Sequence, residues 1–186
     1  MTEDSARSDD AALVRAARDG DRAAFGSLYD RYARMVHGVL LARVPPGEVD
    51  DLVHDVFLVA LRRLSTLWDP ESFAAWLLVI ARNRANDYHR NASPEDQLSE
   101  DTPEIRDRGG FRGEDSESAA AAHLLEAVKS LPDAYRETLI LRLVEGMTGP
   151  EIAARTGLTH GSVRVNLHRG LQQLRARLGS SSAEKR

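Results

Sequence analysis

The segment 148–169, TGPEIAARTGLTHGSVRVNLHR, has residue types at a spacing suited to reading DNA. Ala153 is small where two helices would cross closely. Gly157 falls at the turn between them, where a positive φ is cheap only for glycine. Ile152, Leu158, Val163 and Leu167 are spaced to meet as a compact core, and Thr159 is placed to cap the second helix. A helix-turn-helix of this kind lays its second helix in the major groove, with its early residues at base edges. Left facing outward are Thr159, His160, Ser162, Arg164, Val165, Asn166, His168 and Arg169. An arginine there reads guanine through two parallel hydrogen bonds, and an asparagine reads adenine similarly. Arg155, Arg169, Arg175 and Arg177 suit phosphate contacts.

A second cluster, Asp50, Asp51, His54 and Asp55, has the composition of a hard-metal site. Such sites need ligands converging from several elements. Asp50 and Asp51 fall on different faces of one helix, and no second His/Asp cluster accompanies them. A phosphate-cradling glycine loop and a Ser/His/Asp constellation are also missing from the sequence. Neither a metal, a cofactor nor an enzymatic activity is expected.

The elements that must position these residues are helical. Aromatics are 5% of the chain while Ala and Leu abound, which favours helix over sheet. A first block at 10–90 opens with Leu13, Ala16 and Ala17 at helical spacing. Asp21 is a cap for a helix with the stripe Phe25, Leu28, Tyr29, Tyr32, Met35, Val36, Val39 and Leu40, stopped by Pro45-Pro46-Gly47. A helix at 49–64, a loop at 65–71 and a helix at 73–90 capped by Ser72 complete the block. The segment 91–118 carries Pro94, Pro103, Gly109, Gly110 and Gly113 among dense acid and few apolar residues, and reads as a disordered linker. A second block at 119–178 holds helices at 120–130, 134–145 (stripe Tyr135, Leu139, Ile140, Leu143, with Gly146 as its stop), 150–156 and 160–178. No segment alternates with strand period. The expected fold is all-α: two small helical domains joined by a flexible acidic linker.

Net charge is −4, unusual for a DNA binder, but the acid is concentrated. Residues 91–126 carry a net −7 and residues 127–178 a net +4, so the helix-turn-helix sits in a basic segment. The chain has no cysteine, in keeping with a reducing cytoplasm. Its acidic start does not read as a signal peptide. The apolar run that ends in Trp76 to Ala81 is too short to span a bilayer, so no membrane insertion is expected.

Three stretches resemble the extracytoplasmic-function (ECF) group of bacterial RNA polymerase sigma factors. They are 50–61 (DDLVHDVFLVAL), 73–90 (FAAWLLVIARNRANDYHR) and 131–139 (LPDAYRETL) running into the helix-turn-helix. The resemblance covers nearly the whole chain outside its tails and linker. It implies that the first block, as region 2, binds core RNA polymerase and melts and reads the −10 promoter element, and that the second, as region 4, reads the −35 element. Matching positions assign the polymerase contact to Asp51, His54, Asp55, Leu58 and Arg62. They assign −10 DNA to the loop Leu67, Trp68 and Asp69 and to Arg82, Asn83, Arg84, Asn86, Asp87 and Tyr88 on the following helix. The −35 assignment falls on Arg155, Thr159, His160, Ser162, Arg164, Val165, Asn166, His168 and Arg169. The implied partners are core polymerase, promoter DNA and an anti-sigma factor, for a cytoplasmic protein that is monomeric when free.

The physics of strand separation agrees with these assignments. An aromatic face stabilises an unstacked base by roughly 1–3 kcal/mol, which offsets the few kcal/mol that extruding it costs. Trp68, in a polar loop, is the better candidate; Trp76 reads as core. Promoter elements about two helical turns apart lie roughly 70 Å from each other. A linker of about 28 residues reaches on the order of 90 Å when extended but averages about 30 Å as a coil. The alternative is a conventional helix-turn-helix regulator whose first block senses or dimerises; what separates the two is whether action requires RNA polymerase.

Overall fold

The structure, a computed structural model, describes residues 3–92 and 116–183. The acidic segment expected as a linker lies outside the described residues except at its edges, where 91–92 and 116–118 belong to helices. The helices are α1 (Glu3–Arg18), α2 (Arg22–Leu41), α3 (Val49–Arg63), α4 (Phe73–Ala92), α5 (Ser116–Lys129), α6 (Asp133–Leu143), α7 (Gly149–Thr156) and α8 (His160–Ala183). Among the described residues there is no strand.

Helices α1 to α4 form the first half. Asp21 caps α2 as expected, its carboxylate accepting from the amides of Ala23 at 2.8 Å and Ala24 at 3.1 Å. The stripe along α2 turns inward: Leu28, Met35, Val36, Val39 and Leu40 are fully buried, and Tyr29 stays at the rim. They pack on Val14 of α1, Val56 and Ala60 of α3, and Phe73, Leu77 and Leu78 of α4. Phe57 sits 4.5 Å from the Tyr29 ring, and Phe73 5.3 Å from that of Tyr32.

In the second half α6 is the central helix. Five consecutive residues, Glu137 to Leu141, are buried, which no helix achieves with only one covered side. Helix α8 covers one side of α6 and α2 covers the other. This explains a departure from the expected stripe. Leu143, read as core, is 49% exposed, whereas Leu141 is fully buried against α2. A one-faced reading of α6 could not include a second neighbour from the other half of the chain.

The two halves therefore share one continuous hydrophobic core. Helix α2 meets α6, and α4 meets α7. Gly38 makes the approach possible: a Cβ there would lie 2.8 Å from both Glu145 Cγ and Leu141 Cδ2. Polar bonds close the seam around it. Arg136 Nη1 donates to the carbonyl of Ala42 at 3.0 Å and Lys129 Nζ to that of Val44 at 2.9 Å, so two cations cover carbonyls left open just past the C-terminus of α2.

Candidate nucleic-acid interface

Helix α7 opens on a reciprocal cap. Thr148 Oγ1 accepts from the amide of Glu151 at 3.3 Å, and Glu151 Oε2 accepts from the amide of Thr148 at 2.7 Å. Bonds from the Thr148 amide and hydroxyl hold the Glu151 carboxyl below its usual range. Gly157 ends the helix at φ 74°, the left-handed conformation expected at the turn. Ile152, Ala153 and Val163 are buried where the two helices meet, with Leu167 partly buried beside them. Leu158, expected in that core, is 37% exposed: the turn directs it outward.

Thr159 caps α8 as expected, accepting from the Ser162 amide at 3.1 Å. Thr159, His160, Arg164, Val165, His168 and Arg169 are exposed along α8, with Ser162 and Asn166 half-buried beside them. Arg155 does not join this surface. Its guanidinium donates to the carbonyl of Arg31 and lies 5.6 Å from the centre of the Tyr32 ring. The Tyr32 hydroxyl donates to the Asp10 carboxylate, and burial followed by that bond raises its pKa well beyond the phenol range.

On α3, Asp51, His54, Asp55, Leu58 and Arg62 are all exposed, and their spacing of three or four residues places them along one face. Leu61 extends that face at 48% exposure. The sequence reading omitted it, although its position three residues after Leu58 was the available signal. Among the described residues no group of three or more His, Asp or Glu side chains converges as metal ligands would.

Between α3 and α4 the loop is pinned at Leu64 and Leu67, both buried. Leu67 thus anchors the loop and does not reach its surface. Trp68, next to it, is 96% exposed. Asp69 stiffens the far side, accepting from Ser72 Oγ at 2.6 Å and the Glu71 amide at 3.1 Å; these bonds, Ser72 first, lower its carboxyl pKa. Ser72, expected to cap α4, spends its hydroxyl on Asp69. Arg18 of α1 donates from Nε to the carbonyl of Leu64 at 3.1 Å, while its Nη2 is buried without a partner among the described residues. Sequence reasoning missed this brace because nothing local links residue 18 to residue 64.

The outer face of α4 presents Asn83 and Asn86, together with Val79 at 52% exposure. Arg84, Asp87 and Tyr88 are half-buried, and Asp87 pairs with Arg90 at 2.7 Å. Trp76 is partly buried 6.0 Å from the Phe73 ring, the core role expected of it. Arg82 points across the seam: its Nη2 lies 2.7 Å from Glu137 Oε1.

Comparison with known proteins places these surfaces in a family context. Residues 28–95 match the model of Sigma-70 region 2, and residues 122–174 that of Sigma-70, region 4. The chain is 34% identical over 170 residues to the RNA polymerase sigma factor CarQ of Myxococcus xanthus, covering 90% of this chain and 96% of that protein. It is 36% identical over 168 residues to the ECF RNA polymerase sigma factor BldN of Streptomyces coelicolor, covering 87% and 63% respectively. Among solved structures, CnrH in complex with the cytosolic domain of CnrY superposes with a TM-score of 0.61 at 28% identity, over 92% of this chain and 98% of that one.

Proposed function

The chain belongs to the ECF group of RNA polymerase sigma factors, and on that premise we propose how its surfaces divide the work of promoter-directed transcription initiation. The exposed face of α3, from Asp51 to Arg62 and including Leu61, docks on core polymerase. Trp68 and the Asn83/Asn86 face of α4 capture and read the −10 strand. The exposed face of α8 reads the −35 duplex through Arg164 and Asn166, with Arg169 on phosphate. The units doing this are 10–90 and 119–178, with 91–118 as the tether between them. The protein acts as a factor and not as an enzyme, works in the cytoplasm, and is monomeric when free. An anti-sigma factor is its regulatory partner; the similar structure of CnrH is likewise of a complex, with the cytosolic domain of CnrY.

One observation carries this reading. A single chain presents an outward recognition helix and, on a separate helical half, an almost fully exposed tryptophan beside an asparagine-bearing helix. Duplex reading calls for the first feature alone; the second supplies the aromatic face on which an unstacked base can be held.

The test is runoff transcription with purified protein, sigma-free core polymerase and a library of genomic promoter fragments. Transcripts that depend on the protein and start downstream of a shared two-part motif are expected. Tight duplex binding without any affinity for core polymerase would replace this reading with that of a conventional helix-turn-helix regulator.

A further inference from the structure

Arg18 reaches the Trp68 loop from a fixed point. Helix α1 ends with the Asp21 amide donating to the Ala16 carbonyl at 3.0 Å and the Gly20 amide to that of Ala17 at 3.2 Å, the paired closure that holds a helix C-terminus in one conformation. Val14, one turn before Arg18, and its neighbour Ala17 are buried in the core. The same helix packs on both short turns of the loop, Leu64–Thr66 and Pro70–Ser72. It lies ahead of residues 28–95, the stretch that matches region 2.

What Arg18 holds is the turn from which Trp68 leaves the fold. The Leu64 carbonyl, just past the C-terminus of α3, accepts twice: from Arg18 Nε at 3.1 Å and from the Leu67 amide at 3.3 Å. Leu67 directly precedes Trp68, so the guanidinium and the exposed ring are linked through one oxygen and one residue. Asp69 secures the far side of the ring through Ser72 and Glu71. Without Arg18 the near side depends on the Leu67 amide and on the two apolar anchors, Leu64 and Leu67.

Stability alone does not account for an arginine here. The Leu64 carbonyl keeps a partner in the Leu67 amide when Arg18 is removed. Arg18 Nη2 is buried with no partner among the described residues, and an open buried donor costs free energy. An apolar side chain of similar length fills that space without the cost. What only the guanidinium supplies is a directed bond onto the turn.

We propose that Arg18 is a positioning residue for strand capture: from the closed end of α1 it fixes the Leu64 turn, and through it the direction in which Trp68 projects. This role rests on the reading of Trp68 as the base-capturing side chain. An exposed ring on a slack turn must be ordered when a base stacks on it. A ring already held in place avoids that entropy cost, so capture is stronger with no new contact to DNA.

Three measurements on the full chain test this role. First, Trp76→Phe leaves Trp68 as the one remaining tryptophan of two, and time-resolved fluorescence anisotropy of the free protein reads the motion of its loop. Adding Arg18→Met is expected to enlarge the nanosecond component; an unchanged decay overturns the positioning role. Second, permanganate reactivity of unpaired thymines is measured with core polymerase on a promoter fragment. Arg18→Met is expected to lower it roughly tenfold, the size of one hydrogen bond to a charged group, and Arg18→Lys, whose ammonium reaches the same carbonyl, to recover most of the loss. In the Trp68→Ala background Arg18→Met is expected to add little, because both changes act through one ring. Losses that simply multiply, or an equal loss of affinity for core polymerase, overturn the proposal. Third, thermal melts of Arg18→Met and Arg18→Lys are expected to match the parent protein; a melting temperature lowered by many degrees in both makes Arg18 a structural residue and overturns the proposal. Should Trp68→Ala alone leave thymine reactivity normal, the capture reading falls, whereas the anisotropy decay still decides whether Arg18 fixes the loop.

Discussion

Trp68→Ala offers the sharpest test of strand capture. The ring is 96% exposed, so its loss removes almost no packing. Substitutions at such positions shift stability by no more than about 0.5 kcal/mol. The loop keeps its shape without the ring, since Leu64 and Leu67 remain buried and Asp69 still holds Glu71 and Ser72. If the ring stacks on an unpaired base, its removal costs roughly 1–3 kcal/mol. At about 1.4 kcal/mol per factor of ten, open-complex occupancy drops roughly 5- to 150-fold. Permanganate reactivity of unpaired thymines, measured with core polymerase on a promoter fragment, reads that occupancy. A thermal melt of the same protein checks its stability. Trp68→Phe is expected to keep most of the activity, because it keeps an aromatic face. Normal thymine reactivity in Trp68→Ala would refute the capture role. A melting temperature lowered by many degrees would refute the premise that the ring is free of the fold.

Other outcomes follow from the same geometry. Arg164→Ala is expected to cost about 1–3 kcal/mol of −35 duplex binding and to relax preference at one base position, whereas Arg169→Ala weakens all sequences alike and reduces the salt slope by about one; competition binding over a salt series separates the two. Gly157→Ala forces an L side chain to φ 74°, and since open space surrounds the new Cβ, the cost is conformational only, about 1–2 kcal/mol in a urea denaturation series. His37 Nδ1 lies 2.7 Å from Glu145 Oε1, and this bond, with the charges of Glu145 and Asp50, raises the His37 pKa from 6.5 against the opposing effect of burial. A raised histidine contributes fully below pH 6.5, and its contribution is lost as pH rises through the elevated value. The seam should therefore loosen across that window, and an NMR titration should find the His37 pKa lower in Glu145→Gln. An unchanged titration curve would show that Glu145 does not set it.

Much of the molecule was legible because its determinants are local. The caps at Asp21 and Thr159 and the left-handed glycine at 157 are each decided within four residues of chain, by hydrogen bonding or sterics that any context would impose. The exposed stripe of α3 follows from helical periodicity alone, and so does the contrast between Trp68 in a polar loop and Trp76 in an apolar run. The family resemblance rested on three such stretches in order, and the region 2 and region 4 matches bear it out.

The errors share one cause, contacts between residues far apart in sequence. Leu143 and Leu141 exchange roles because α6 is covered by α2 as well as α8. Leu67 turns inward to anchor its loop, and Leu158 turns outward from the corner of the helix-turn-helix. Arg18 braces the Trp68 loop across 46 residues. Arg82 and Arg155, whose assignment to DNA stands as a proposal, are likewise held by contacts with the opposite half that nothing local announces.

By itself, then, the sequence determined the helices, their caps and the outward faces of α3 and α8, because periodicity and capping act over one or two turns. Only the tertiary structure decided that the halves share a core. A buried glutamate between two arginines, and a glycine that lets two helices touch, acquire their meaning only when chain segments far apart in sequence are brought together.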